Sequence, residues 1–194
     1  MPLARPRPEV VLASRSPQRR AILEAVGLEF RVIDPDVEEA TAGDPSAVAL
    51  QNAERKAAAG ARAVPGSPIV IGVDTVVALD GRIYGQPGDA DEARRTLRAL
   101  SGRRHAVVSG LAVVGADGRA RTACERTEVE FRTLPEGLIE WYVGSGEWRG
   151  RAGAYAIQGR GAALARRIDG DYLNVVGLPL GALFDLLPEL TPAP

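Results

Sequence analysis

One acidic residue lies inside the most apolar stretch of the chain. Asp74 falls within residues 69–79, the longest run with the composition of a β-strand. On a strand its side chain points to the same side as Val70 and Val76. A carboxylate there costs free energy unless it is paired with a cation or binds a metal. The position therefore favours a functional acid, either a general base or a metal ligand, over a solvated residue at a strand end.

A second candidate is a phosphate-binding corner near the N-terminus. Residues 12–20 read Leu-Ala-Ser-Arg-Ser-Pro-Gln-Arg-Arg, in which a short strand leads into a helix that begins at Ser16-Pro17. Free N–H groups of a helix N-terminus, a hydroxyl and guanidinium groups together suit a phosphate. A capped surface helix with solvated arginines has the same pattern, so the segment alone leaves both interpretations open.

Lys56 stands out because the chain otherwise uses arginine. The chain has 24 basic residues, of which 23 are arginine and one is lysine. A lysine retained against such a bias is a candidate for a role that a guanidinium cannot fill, such as a compact point charge on a phosphate oxygen. The alternative is that a single lysine survived by chance.

Three further features are weaker when taken alone. Glu38-Glu39 lies in an acidic loop, where adjacent acids are usually solvated. Residues 152–159 are small apart from Tyr155, Ile157 and Gln158, and small residues permit close approach of the backbone to a ligand. The Gln158 amide has both a donor and an acceptor for a base edge. His105 is the single histidine and no G-x-S-x-G motif accompanies it, so we expect a structural role for it. The chain lacks a Walker A loop and a G-x-G-x-x-G motif, which argues against the common ATPase and dinucleotide-binding classes.

Composition excludes several classes of protein. The 194 residues carry a formal net charge of -1, so the basic surplus needed to coat nucleic acid is missing. No apolar run approaches the ~18 residues of a membrane span, and one cysteine cannot form an intramolecular disulfide. We expect a soluble, cytoplasmic protein that binds neither nucleic acid nor membrane, with one domain over 1–194 and an ordered core at about 9–188.

The elements that must position these residues alternate between strands and helices. Several neighbouring strands are joined by hairpin turns, at Asp80-Gly81 and Asp117-Gly118 among others. This pattern predicts an α/β fold of mixed α+β character with a mixed sheet. The predicted strands are 9–13, 28–33, 69–79, 82–84, 105–114, 127–134, 162–168 and 172–176, and the predicted helices are 17–26, 45–60, 90–100, 135–143 and 179–187.

Taken in order, the motifs resemble the Maf family of nucleoside triphosphate pyrophosphatases over residues 10–187. No single motif is decisive, but their order and spacing together are highly specific. They are Leu-Ala-Ser-Arg-Ser-Pro-Gln-Arg-Arg at 12–20, Pro-Asp-Val-Glu-Glu at 35–39, Ala-Glu-Arg-Lys-Ala at 53–57, Gly-Val-Asp-Thr-Val-Val at 72–77, Leu-Ser-Gly-Arg-Arg-His at 100–105, Thr-Glu-Val-Glu-Phe at 127–131, Gly-Glu at 146–147, Ala-Gly-Ala-Tyr-Ala-Ile-Gln-Gly at 152–159, and Asp-Tyr followed by Asn-Val-Val-Gly-Leu-Pro at 171–179.

The resemblance implies a fold and a reaction. The fold is that of the inosine triphosphate pyrophosphatases, a mixed twisted sheet flanked by helices with two lobes around a cleft, commonly as a homodimer. The reaction is hydrolysis of a nucleoside triphosphate between its α- and β-phosphates, with a divalent cation (Mg²⁺ or Mn²⁺). Asp74-Thr75 and the segment before Gln158 look like the dTTP/UTP branch. The alternatives are a pyrophosphatase for 7-methyl-GTP or inosine triphosphate, or a non-catalytic nucleotide-binding regulator of septum formation.

The resemblance also assigns roles to residues. Asp74 is implied as general base or metal-associated acid, with Glu39 in the metal and water network. The triphosphate is implied to lie against a hydroxyl, a guanidinium and an ammonium, from Ser14, Arg19 and Lys56.

The expected substrate-binding and specificity positions include three glutamines. Gln158 and Thr75 match positions near base selection in the pyrimidine branch. The chain departs from the family pattern at Gln18 and Gln86, where the family usually has Arg and Lys. Each change removes one positive charge from the expected cleft.

Overall fold

A mixed sheet of seven strands forms the centre of the fold in the computed structural model, which describes residues 9–191. The strand order is β2-β1-β3-β5-β6-β7, and β4 pairs with the end of β3. Strand β1 is parallel to β2 and β3, whereas the remaining pairs are antiparallel. The strands are β1 (Val10–Ala13), β2 (Arg31–Ile33), β3 (Ile69–Leu79), β4 (Arg82–Tyr84), β5 (Arg104–Val114), β6 (Ala120–Phe131) and β7 (Ala165–Asp169).

Helices cover the sheet, which confirms the prediction of an α/β fold with a mixed sheet. They are α1 (Pro17–Ala25), α2 (Pro45–Ala63), α3 (Ala90–Leu100), α4 (Glu136–Ser145), α5 (Tyr172–Val176) and α6 (Leu180–Leu186). The side chains of Ser16, Asp44 and Asp89 cap α1, α2 and α3, so the N-cap residues set where each helix begins. Residues 1–8 and 192–194, included in the predicted domain, lie outside the described part of the chain.

The sheet contains a gap along one edge of β3. Strand β1 ends where Ala13 pairs with Gly72, and β4 begins pairing at Val77. Within the described residues, the backbone from 73 to 76 therefore has no strand neighbour on that side. Because successive side chains point to opposite faces, residues of both faces reach this gap. The carboxyl ends of the parallel strands β1 and β2 open onto the same place, where ligands bind in α/β sheets.

Helix α2 packs against the sheet at very close range. A Cβ atom built on Gly72 would lie 2.3 Å from the carbonyl oxygen of Ala53, and one on Gly110 would lie 2.2 Å from that of Ala49. Strands β3 and β5 thus present glycine where the helix backbone passes, and the helix presents alanine. This contact fixes the height of α2 above β3, and with it the positions of the polar side chains on the inner face of the helix.

One predicted element is wrong in kind. Residues 172–176 are a short helix, α5, and not the last strand of a hairpin. The side chain of Asp171 caps the helix by accepting from Leu173 N–H at 2.7 Å. The buried Asn174 amide then donates to the carbonyl of Val107 and to Thr127. These contacts override the strand preference of the valines, and Gly177, at φ 131°, ends the helix.

Three predicted strands have wrong boundaries. Strand β7 begins at Ala165 and not at residue 162, because the preceding segment, Gly159–Ala163, forms a short 3-10 helix. Strand β2 begins at Arg31 and not at residue 28, because the preceding residues complete the end of α1: Leu28 N–H donates to the carbonyl of Leu23 at 3.1 Å. Strand β6 begins at Ala120 and not at residue 127. Its exposed first half alternates Arg, Glu and small residues and is held by pairing with β5. In the range that the structure covers, no helix combines the length and apolarity that crossing a membrane requires.

We expect Gly110→Ala to destabilise the fold, since the added methyl group would collide with the backbone of α2. Overpacking of this kind costs about 1–3 kcal/mol. Gly137→Ala is the matched control, because a Cβ atom at that helical position meets no atom within 4 Å. Chemical denaturation of both variants measures the effect. Equal free energies of unfolding for the two variants would contradict the packing argument.

Candidate active site

A cavity of about 520 Å³ opens at the gap beside β3. Its volume lies within the ~300–1,000 Å³ range of small-ligand sites. Its walls come from the β1–α1 corner, the acidic loop after β2, helix α2, strand β3 and the glycine-rich segment after α4. All nine residues selected from the sequence line it, namely Ser14, Gln18, Arg19, Glu39, Lys56, Asp74, Thr75, Gln86 and Gln158.

Asp74 and Lys56 form a buried ion pair on the α2 side of the sheet. The Lys56 Nζ lies 2.7 Å from Asp74 Oδ1 and 2.8 Å from Glu39 Oε1. The Lys56 and Asp74 side chains are 8% and 10% exposed, whereas that of Glu39 is 46% exposed. The two carboxylate oxygens share one ammonium, so they lie no more than 5.5 Å apart, the sum of the two distances. Lysine thus neutralises the acid that the apolar strand could not hold alone.

Asn52 completes this cluster, and our sequence analysis missed it. Its amide nitrogen donates to Asp74 Oδ2 at 2.9 Å and to the carbonyl of Ala40 at 3.0 Å, and its amide oxygen accepts from Ala40 N–H at 2.8 Å. The side chain therefore ties the acidic loop to Asp74. A signal was present in the sequence: Asn52 lies four residues before Lys56, which places both on one face of α2.

Arg19 is buried on the other side of the gap. Its guanidinium donates to the Gly177 carbonyl at 2.8 Å, to Ser14 Oγ at 2.9 Å and to Thr75 Oγ1 at 3.1 Å. All three partners are neutral. Burial lowers the pKa of Arg19, and the nearby charges of Asp74 and Glu39 act against that shift. Three of its five N–H groups are used, so one on each terminal nitrogen remains for an anion.

The remaining selected residues occupy the rim and walls. Thr75 Oγ1 also shares a hydrogen bond of 2.9 Å with the buried Ser109 hydroxyl. The Gln18 amide oxygen accepts from Ser16 Oγ at 3.1 Å, within the first turn of α1. Gln86 and Gln158 are exposed residues on separate loops of the cavity. The structure thus brings all of these positions to one cavity, and no hydrogen bond joins the side chains of Gln18, Gln86 and Gln158.

His105 is not among the described residues that line the cavity. It is buried in β5, and its Nε2 lies 2.9 Å from the hydroxyl of Tyr155, whose ring is part of the cavity wall. Burial lowers the pKa of His105 to about 4, so the ring is neutral near pH 7. The imidazole ring packs edge to face against the rings of Phe131 and Tyr155. This is the arrangement of a packed core residue.

The oxygens of Asp74 and Glu39 are suited to a hard divalent cation. Among residues 9–191, no group of three or more His, Cys, Asp or Glu side chains is arranged to hold a metal ion. Mg²⁺ typically uses one or two carboxylates and takes its other ligands from water and substrate phosphates. The donor set therefore fits a cation that enters with a phosphorylated ligand rather than a permanent structural metal.

Comparison with known proteins agrees with the motifs. The family model described as Maf-like protein matches residues 9–190, so this chain belongs to the Maf family. Among curated relatives, a dTTP/UTP pyrophosphatase of Pelotomaculum thermopropionicum is 47% identical over 93% of this chain and 96% of that protein. A dTTP/UTP pyrophosphatase of Dictyoglomus thermophilum is 44% identical over 94% and 96%.

Solved structures with a similar arrangement include a HAM1 protein from Coxiella burnetii. It aligns with a TM-score of 0.49 and 20% sequence identity over 66% of this chain and 75% of that one.

We expect the buried His105 to make stability depend on pH in a defined window. The unfolded chain binds a proton near pH 6.5 and the folded chain only near pH 4. The contribution is complete above the unfolded pKa and is lost as the pH falls toward the folded one. By linkage it amounts to about 2 kcal/mol between pH 7 and 4.5. Denaturation of the parent and of His105→Gln at both pH values should show the smaller loss in the variant; identical losses would refute the assignment.

Proposed function

We propose that this chain is a nucleoside triphosphate pyrophosphatase that hydrolyses dTTP and UTP to the monophosphate and pyrophosphate. The observation that carries the proposal is the convergence of nine residues, from separate parts of the sequence, on one cavity. Curated relatives that are 44–47% identical over most of their length bear that activity in their names. The proposal is consistent with a role in clearing nucleotide pools.

In this proposal Asp74 prepares the attacking water. Hydrolysis requires a base that removes a proton as the water oxygen approaches phosphorus. Lys56 donates to Asp74 Oδ1 and Asn52 donates to Asp74 Oδ2, and these two contacts fix the plane of the carboxylate. A further lone pair on each oxygen remains free to accept a hydrogen bond from water. A carboxylate held in this way can orient water without rotating, and such pre-organisation is a large part of catalysis.

Lys56 takes a different role here from the one expected of a phosphate ligand. Its ammonium is already shared between Asp74 and Glu39. A compact ammonium can donate to both carboxylates from a single nitrogen, whereas a planar guanidinium spreads its donors over three. This geometry supports a lysine that holds two acids together, and it gives a reason for the single lysine of the chain.

Arg19 and Ser14 are proposed to bind the triphosphate. The buried guanidinium keeps two N–H groups for phosphate oxygens, and its neutral partners do not cancel its charge. When bound, Mg²⁺ or Mn²⁺ would neutralise phosphate charge and polarise the reacting phosphoryl group. The carboxylates of Asp74 and Glu39 are the residues that would hold it.

Base selection is assigned to the rim of the cavity. Uracil and thymine share an edge of O2, N3–H and O4, which the exposed amide of Gln158 can match. The Thr75 hydroxyl, expected to share this role, is hydrogen-bonded to Arg19 and Ser109. A site built to hydrogen-bond one edge rejects another, because buried polar groups are then left unpaired. Gln18 replaces a cation with a neutral amide and is the position at which selectivity is expected to differ.

We predict that Asp74→Asn lowers kcat for UTP by about 10²–10⁴, the usual effect of removing a general base. The amide keeps the size of the side chain and Glu39 still pairs with Lys56, so binding of the nucleotide should persist. Asp36→Asn, in the exposed part of the acidic loop, is the matched control and should behave like the parent. Steady-state release of pyrophosphate gives kcat, and a variant within threefold of the parent would exclude Asp74 from the reaction.

A nucleotide panel tests substrate choice. The kcat/KM values for dTTP, UTP, CTP, GTP and ITP, with Mg²⁺ or Mn²⁺ present, should be highest for dTTP and UTP. Gln18→Arg should narrow the profile further, because it restores a fixed cation at the rim. A parent enzyme with a higher kcat/KM for GTP or ITP than for dTTP and UTP would contradict the assignment to pyrimidine nucleotides. Binding of nucleotide without turnover of any of them would instead favour a regulator.

A further inference from the structure

One arginine that lines the cavity has no side-chain partner for its guanidinium among the described residues. Arg151 is half-buried and lines the cavity. Among residues 9–191 it is the only partly buried arginine whose guanidinium has no carboxylate, hydrogen-bond or aromatic partner. Its neighbours in sequence differ, since Arg149 lies over the ring of Trp148 and Arg160 over that of Trp141.

A half-buried guanidinium without a hydrogen-bond or ion-pair partner costs desolvation free energy that the protein compensates only in part. Burial lowers the pKa of Arg151, and the charge of Glu147 offsets only part of that shift. The other unpartnered arginines in the described range are exposed and bear no such cost; they are Arg62, Arg95, Arg119, Arg132 and Arg167. A guanidinium that lacks a partner inside a ligand cavity indicates that the ligand supplies the partner.

The backbone around Arg151 is held rigidly toward the cavity. Gly153 N–H donates to the carbonyl of Gly85 at 3.1 Å, and Ala154 N–H donates to that of Arg151 at 3.1 Å. Ala154 has φ 61°, a conformation that costs a non-glycine residue free energy and is typical of functional sites. The Gly153–Gly85 bond also places the Arg151 turn beside the loop of Gln86. Arg151 and the uncharged Gln86 thus come from neighbouring segments that both line the cavity.

We infer that Arg151 is a phosphate-binding residue of the cavity, which contacts the nucleotide through its phosphates and not through its base. This inference rests on the proposed function and extends it. The forked donors of a guanidinium match phosphate oxygens in a bidentate manner. Arg151 and Arg19 then supply two guanidinium groups to one anion, from the glycine-rich segment and from α1. This pair replaces the charge that Gln86 does not provide.

Binding of inorganic pyrophosphate, which has no base, tests the inference. Isothermal titration calorimetry with Mg²⁺ present compares the parent with Arg151→Gln, Arg151→Lys and Arg149→Gln. We expect Arg151→Gln to raise Kd by about tenfold or more, the effect of losing one charge-assisted contact. The lysine variant should be intermediate, and Arg149→Gln should match the parent. Arg151 has no side-chain hydrogen-bond or ion-pair partner in the described part of the chain, so its variants should melt at the parent temperature.

Kinetics separate this inference from the proposed function. With UTP, Arg151→Gln should raise KM by a similar factor and change kcat by less than about threefold. Arg151→Gln that binds pyrophosphate within twofold of the parent overturns the inference, as does a parent that binds no pyrophosphate. A parent that binds pyrophosphate but hydrolyses no nucleotide overturns the proposed function, while the comparison of Kd values still decides the role of Arg151.

Discussion

The ion pair between Asp74 and Lys56 is the interaction on which the arrangement of the cavity depends. Strand β3 is buried along almost its whole length, so a carboxylate on it must be neutralised from the helix that covers it. Removing one partner of a buried pair typically costs about 3–5 kcal/mol, because the other charge is then left uncompensated. Lys56 meets this need and reaches Glu39 as well, so the same contact holds the acidic loop at the cavity.

Close packing makes that ion pair possible. Gly72 and Gly110 let the backbone of α2 approach the sheet so nearly that a methyl group would not fit. At this distance the short side chain of Asn52 reaches Asp74, and it also binds Ala40 in the acidic loop. The glycines therefore contribute to the site indirectly. They set the distance at which an amide and an ammonium can hold one carboxylate.

Much of the site could be predicted from the sequence because its residues carry local signals. Asp74 interrupts an apolar run, and Lys56 breaks the arginine bias. Asn52 and Arg151 gave weaker signals, since an asparagine in a helix and an arginine in a loop are common. Their importance lies in what surrounds them: Asn52 meets two separated segments, and Arg151 meets no partner among the described residues. Such properties depend on contacts between distant parts of the chain.

The errors in the predicted elements have the same origin. The segment 172–176 has the composition of a strand, but as a helix it places the buried Asn174 amide against the interior strands β5 and β6, where it donates to the Val107 carbonyl and to Thr127. The polar first half of β6 lacks an apolar stripe and forms a strand because β5 pairs with it over its full length. Local preference placed the elements that cover the core well. Tertiary hydrogen bonds decided these exceptions.

Hydrolysis of UTP in water enriched with oxygen-18 tests the central claim most directly, because it reports which phosphorus atom the activated water attacks. If Asp74 directs water to the α-phosphorus, the products are UMP and pyrophosphate, and mass spectrometry finds the heavy oxygen in UMP alone. Heavy oxygen in pyrophosphate, or products that are UDP and phosphate, would contradict the account.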